Sequence, residues 1–227
     1  MKKIYKILVI ALLVITLTSC SKKDSILFKE DYESLNGTTN KNGKEHRTVN
    51  ISKHNAMIIS DAKEIVEKIE NEDTFYVYFG STLCPWCRSV IEEAVEISND
   101  NEIDEIYYVD IWDDEGNEIL RDKYSLGEDN VPVKEIEGTE EYNKLLSYLG
   151  ELLEDYTYEL DGQKLSYGEK RIYAPTFIYI SKGKGVRMTT GISDKQQDAR
   201  EELTKEILKD EEQKFDDFFI SVCDDSC

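Results

Sequence analysis

Apolar positions along the chain change period several times, and each change predicts an element. The first is an unbroken run from Ile7 to Leu17 behind Lys2, Lys3 and Lys6. At about eleven residues it falls short of the ~20 that a membrane-spanning helix needs. Residues 21–55 are polar, with Asn36-Gly37 and Asn42-Gly43 among few apolar positions, so a flexible spacer that hardens into structure near Met57 is expected. Ala62, Ile65, Val66 and Ile69 then recur at helical spacing behind Asp61 and Glu64, a capping-box pair. That helix should end near Asn71. Residues 74–79 are β-branched and aromatic between Asp73 and Gly80, which suits a buried central strand. Val90, Ile91, Ala94, Val95 and Ile97 return to helical spacing up to about Ser98, and residues 105–111 read as a second strand.

Residues 112–172 interrupt this alternation and read as an inserted, largely helical cap. A helix is expected near residues 115–123 and a turn at 130–132. A clearer helix runs over 139–155, with an apolar stripe of Leu145, Leu146, Leu149, Leu152 and Leu153. Asp161-Gly162 marks a turn between two short extended pieces. Residues 176–180 and 185–190, separated by Ser181-Lys182-Gly183-Lys184, predict a hairpin, and a last helix is expected over 194–219.

Charge narrows the partners. The 227 residues carry a net charge of −20, and removing Lys2, Lys3 and Lys6 takes it to −23. A surface this acidic repels nucleic-acid phosphates and anionic lipid headgroups alike. A chain of this length can bury a proper core.

The basic, apolar and small residues at the start have the order of a secretory signal peptide. Leu17-Thr18-Ser19-Cys20 resembles the bacterial lipobox, which implies cleavage after residue 19 and a diacylglycerol on Cys20. Each buried CH₂ adds about 0.8 kcal/mol, so several acyl chains would hold the protein on the bilayer. The expected organisation is a signal peptide over 1–19, a lipid-anchored spacer over 20–55, a domain over 56–219 with its insertion at 112–172, and a cysteine-containing tail over 220–227. Ordinary secretion with an unmodified Cys20 is the plainer alternative.

The chemistry resides in Cys84-Pro85-Trp86-Cys87, set where a strand turns into a helix. A cysteine at a helix N-terminus meets unsatisfied backbone N–H groups and the positive end of the dipole, which stabilise its thiolate. Cys87, one turn on, can resolve a mixed disulfide formed by Cys84. Pro85 fits the first turn, where a missing N–H costs nothing, and Arg88 should add positive charge nearby.

Strand, cysteine pair, helix, strand, Ala174-Pro175-Thr176 before a hairpin, and a closing helix together resemble the thioredoxin superfamily over about residues 56–219. The resemblance implies a three-layer α/β fold with a mixed central sheet and the insertion placed before a cis-proline strand. Pro175 matches that family's cis proline and, with Ala174 and Trp86, would contact substrate. Lipobox and insertion together look like the membrane-tethered thioredoxin-like lipoproteins of Gram-positive bacteria, including bacteriocin transport accessory proteins. The implied activity is thiol–disulfide exchange outside the cytoplasmic membrane, with no cofactor beyond the dithiol. The implied partners are extracytoplasmic proteins and a membrane electron donor or acceptor. Two departures stand out. The dipeptide between the cysteines is Pro-Trp, as in glutaredoxins, and Tyr78 stands where thioredoxin has a buried aspartate.

Other readings use the same residues. Cys223 and Cys227 could complete a four-sulfur zinc site with the pair, form a local disulfide, or relay electrons to it. Copper or heme delivery would also use this fold. His46 and His54, in the polar spacer, should be solvated surface histidines. The main rival is a non-catalytic accessory lipoprotein that presents the insertion to a transporter or a secreted peptide, with Cys84 and Cys87 as a structural disulfide.

Overall fold

The computed structural model describes residues 23–220, so the leader with Cys20, and the tail with Cys223 and Cys227, lie outside the described residues. Alternation along β2 (Phe75–Gly80) decides the layers. Tyr76 and Tyr78 point to one side of the sheet, while Phe75, Val77 and Phe79 point to the other.

The central sheet is mixed and five-stranded, ordered β1-β3-β2-β8-β9 from β1 (Met57–Ser60), β3 (Ile106–Asp110), β2, β8 (Thr176–Ser181) and β9 (Lys184–Thr189). β1 and β2 run parallel to β3, whereas β8 is antiparallel to β2 and to β9. The β8–β9 turn has positive φ at Lys182 and Gly183, 49° and 72°. A Cβ on Gly183 would lie 2.4 Å from the Ile69 carbonyl oxygen, so only glycine fits there.

Helices cover both faces, giving three layers. The Tyr78 face packs on a helix over residues 23–34 (α1), on α3 (Pro85–Asp100) and on α5 (Lys205–Phe219). The opposite face packs on α2 (Ala62–Glu70) and α4 (Glu140–Leu149). Asp61 caps α2 by accepting the Glu64 N–H at 2.9 Å, while the Glu64 carboxylate takes the Ser60 hydroxyl at 2.8 Å. None of the helices among the described residues is long and apolar enough to cross a membrane.

Four expectations need correction. Residues 23–55 are not a flexible spacer: Phe28, Tyr32, Val49 and Ile51 are all at most 1 % exposed and belong to the core. No helix forms at 115–123. The Asp113 carboxylate accepts the N–H groups of Glu115 and Asn117 at 2.9 and 2.8 Å, and this local bonding competes with helix. The insertion is consequently more strand than helix, with β4 (Lys123–Leu126) paired to β5 (Pro132–Ile136) and β6 (Glu154–Leu160) to β7 (Gln163–Arg171). The β6–β7 turn does fall at Asp161-Gly162, with φ of 51° and 77°. Its one helix, α4, stops at Leu149, and through Tyr142, Leu145 and Leu149 it belongs to the core rather than to a cap. The last helix starts at Lys205 behind the Thr204 cap, because Asp198 and Glu201 tie up the backbone N–H groups of Gln197, Asp198 and Arg200 in turns.

One buried acid on α5 has a measurable consequence. Glu211 is 0 % exposed and neither of its carboxylate oxygens has a hydrogen-bond partner among the described residues. Burial, and next the Glu93 carboxylate, push its pKa up to about 8 from 4.5. Between those two values the folded chain holds a proton that the unfolded chain has lost, so stability should fall as pH rises from about 4.5 to about 8. Each pH unit between the two values is worth about 1.4 kcal/mol, and with solvent screening the loss should be on the order of a few kcal/mol. Urea denaturation across this range should show the slope in the wild type and a flatter profile in Glu211→Gln.

Candidate active site

Cys84 ends the loop after β2 and is the N-cap of α3, with Pro85 at the first helical position. Its backbone N–H donates to the Ser81 carbonyl at 3.1 Å, and its carbonyl accepts the Arg88 N–H at 3.1 Å. These bonds fix the turn that aims the sulfur. The sulfur accepts the Cys87 N–H at 3.4 Å and its thiol donates to the Ala174 carbonyl at 3.5 Å. The Ala174–Pro175 peptide bond is cis. Chain positions 84 and 174 thus meet at one atom.

Cys84 is 4 % exposed and Cys87 fully buried, and both are free thiols. The Cys87 thiol donates to Cys84 and holds its pKa below the usual thiol value against the opposing effect of burial. The N–H groups of Cys87 and Trp86 and the charge of Arg121 help. Cys87 is driven well up, by burial first and then by Cys84. One sulfur is therefore poised as thiolate and the other as thiol, which is the asymmetry a nucleophile and a resolving group need.

Arg88 does not act as the expected cation. It is 1 % exposed, and its guanidinium is turned to the N-terminal segment. It donates to the carbonyls of Tyr32 and Arg47 at 2.8 Å each and to the Asn36 side chain at 2.9 Å. The cation felt at Cys84 is Arg121, from the insertion. Arg121 donates to the Ile172 carbonyl at 3.0 Å, and Arg171 to the Asp122 carbonyl at 2.6 Å. This reciprocal pair of bonds clasps the start of the insertion to the segment that leads into Pro175.

Tyr78, six residues before Cys84, is buried on β2. It stacks on Phe177 with centroids 4.2 Å apart, and its hydroxyl is 2.8 Å from that of Tyr32. Burial pushes both phenols well above their usual pKa, so both stay protonated. Tyr78 also reaches the Cys87 sulfur, whose thiolate it favours. It serves as a hydrogen-bond donor and not as a base. A carboxyl does lie close by: Asp110, at the end of β3, accepts the Tyr108 hydroxyl at 2.8 Å and the Trp112 N–H at 3.0 Å, and burial raises its pKa.

Two clefts open beside Cys84 and share Pro85 and Trp112 in their linings. One, of about 360 Å³, contains Cys84, Trp86, Ala174 and side chains of the insertion. The other, of about 450 Å³, is walled by residues 35–46 and by Leu83. His46 lines it and is 8 % exposed, not a solvated surface residue as expected. Burial first, then Arg88 and Arg200, lower its pKa. His54 is exposed.

The structure thus joins Cys84, Cys87, Trp86, Ala174 and Pro175 at one place. Among the described residues, no cluster of three or more His, Cys, Asp or Glu could hold a metal. Sequence reasoning missed Tyr32, Asp110 and Arg121. The spacing of Phe28, Tyr32 and Leu35 in a polar stretch was a usable signal for the first, whereas nothing local marks Arg121. Compared with known protein families and with curated proteins, the chain matches none of them.

Proposed function

We propose that the protein is an extracytoplasmic, thioredoxin-like thiol–disulfide oxidoreductase, anchored through a lipidated Cys20 and acting on protein disulfides or thiols through Cys84 and Cys87. The observation that carries this reading is the asymmetric pair itself: Cys84 at the N-cap of α3 with its thiolate favoured, and Cys87 one turn on with its thiol favoured. The Ala174 carbonyl against the Cys84 sulfur adds to it. So do the parallel β1–β3–β2 unit and the antiparallel β8–β9 hairpin that continues the sheet.

In the reducing direction, the Cys84 thiolate attacks one sulfur of a substrate disulfide. That S–S bond breaks, and the departing sulfur leaves as a thiolate that takes up a proton. Cys87, its thiolate stabilised by the Tyr78 hydroxyl, then attacks Cys84 in the mixed disulfide; the bond between Cys84 and the substrate breaks, and the second substrate sulfur leaves as a thiolate that takes up the proton Cys87 gave up. Two electrons pass from the protein dithiol to the substrate, and the reverse sequence oxidises a substrate dithiol.

The test is equilibration of the pair against defined thiol buffers, read by alkylation. Cys84 should be alkylated with a midpoint below the ~8.5 of an ordinary thiol. A potential near about −270 mV marks a reductant, and one near about −120 mV a disulfide-forming oxidant. A disulfide that resists both buffers and a Cys84 inert at neutral pH would sink the reading.

A further inference from the structure

The cleft that opens on Cys84 has a wall that the exchange chemistry leaves unused. Its lining includes the rings of Trp86, Trp112, Tyr124, Tyr156 and Tyr173. All five rings are only half-buried. They are held by neighbours: Arg171, itself in the lining, lies 4.0 Å over the Tyr156 ring, and Tyr167 packs 4.6 Å from Tyr156 and 5.0 Å from Tyr124.

The charges in the same wall are already matched. Arg121 donates to Glu118 at 2.9 Å, Arg171 pairs with Glu118 at 3.6 Å and with Asp122 at 3.5 Å, and Lys123 pairs with Glu135 at 3.5 Å. The Trp112 indole N–H is taken by Glu118 as well, at 2.6 Å. A carboxylate entering this cleft would have to displace Glu118 from two arginines. An aromatic side chain meets ring faces and edges that need no such displacement.

We propose that this wall is a subsite for the residue flanking the cysteine of a polypeptide substrate, and that it selects aromatic side chains. Successive residues of an extended chain lie about 3.3–3.6 Å apart, so a substrate cysteine joined to Cys84 places its neighbour's side chain within the cleft. The assignment rests on Cys84 being the exchanging thiol, and the experiment separates the two claims.

The probes are mixed disulfides of nitrothiobenzoate with three pentapeptides whose central cysteine is flanked by tyrosine, glycine or aspartate. Cys84 of the reduced, full-length chain displaces the coloured nitrothiobenzoate thiolate, and Cys87 then frees the peptide thiol as the pair is oxidised. The tyrosine peptide should react about five-fold faster than the glycine peptide. Tyr156→Ala should bring that ratio close to one, and Tyr156→Phe should keep it. Equal rates for the tyrosine and glycine peptides in the wild type, or an aspartate peptide that reacts fastest, overturn the subsite. Failure to reduce any peptide or the free bis-nitrobenzoate disulfide overturns the exchange reading, and the subsite with it.

Discussion

Replacing Cys84 with serine is expected to bring disulfide exchange down to the uncatalysed background, because the attacking atom is lost. Cys87→Ser should instead stop the reaction halfway. Cys84 would still attack, but no second sulfur lies one turn on to release the product, so a covalent adduct to Cys84 should accumulate. Non-reducing electrophoresis and intact mass read the adduct directly. The phenotypes differ because the two sulfurs are held differently, Cys84 against the cleft and the Ala174 carbonyl, Cys87 fully buried beneath it with Tyr78. A Cys84→Ser chain that keeps the wild-type rate would remove the pair from the chemistry altogether.

The second large effect is on stability. Arg88→Ala should cost about 3–5 kcal/mol, since it strips donors from the carbonyls of Tyr32, Arg47 and Thr82 and from the Asn36 side chain in a site closed to water. Each acceptor left bare keeps its desolvation penalty with nothing to offset it. The loss should be local at first: amide exchange over residues 23–55 should speed up before the sheet opens, because Arg88 is the bolt between that segment and α3. Urea denaturation gives the total. A loss under about 1 kcal/mol would mean that Phe28, Tyr32, Val49 and Ile51 hold the segment by packing alone.

The two variants bear on one arrangement. The N-terminal segment supplies Tyr32 beneath Cys87 through Tyr78, and residues 35–46 wall one cleft beside Pro85. The insertion supplies Arg121 and the aromatic wall of the other cleft. A site that the motif alone would place on one loop is therefore flanked by chain from both sides of the core.

The sequence by itself determined the elements whose signals are local. Short runs of branched and aromatic residues specified β2, β3 and the β8–β9 hairpin, the Asp61 cap specified α2, and the position of Cys84-Pro85-Trp86-Cys87 between strand and helix specified the reactive pair. Short-range geometry suffices there, because a cap, a tight turn or a buried strand is settled within a few residues. Only the tertiary structure decided what depends on distant partners. Residues 23–55 are polar enough to read as a spacer, yet Phe28 and Tyr32 find a sheet face to bury against and Arg88 finds their carbonyls, which no window of neighbouring residues contains. Asp113 chose its own turn over a helix, and Arg121 took the place expected of Arg88 because the direction of a long side chain is set by the acceptors that surround it in space. Charge at the reactive sulfur comes from a residue 37 positions further along the chain, brought there by the clasp between the insertion and the strand before Pro175.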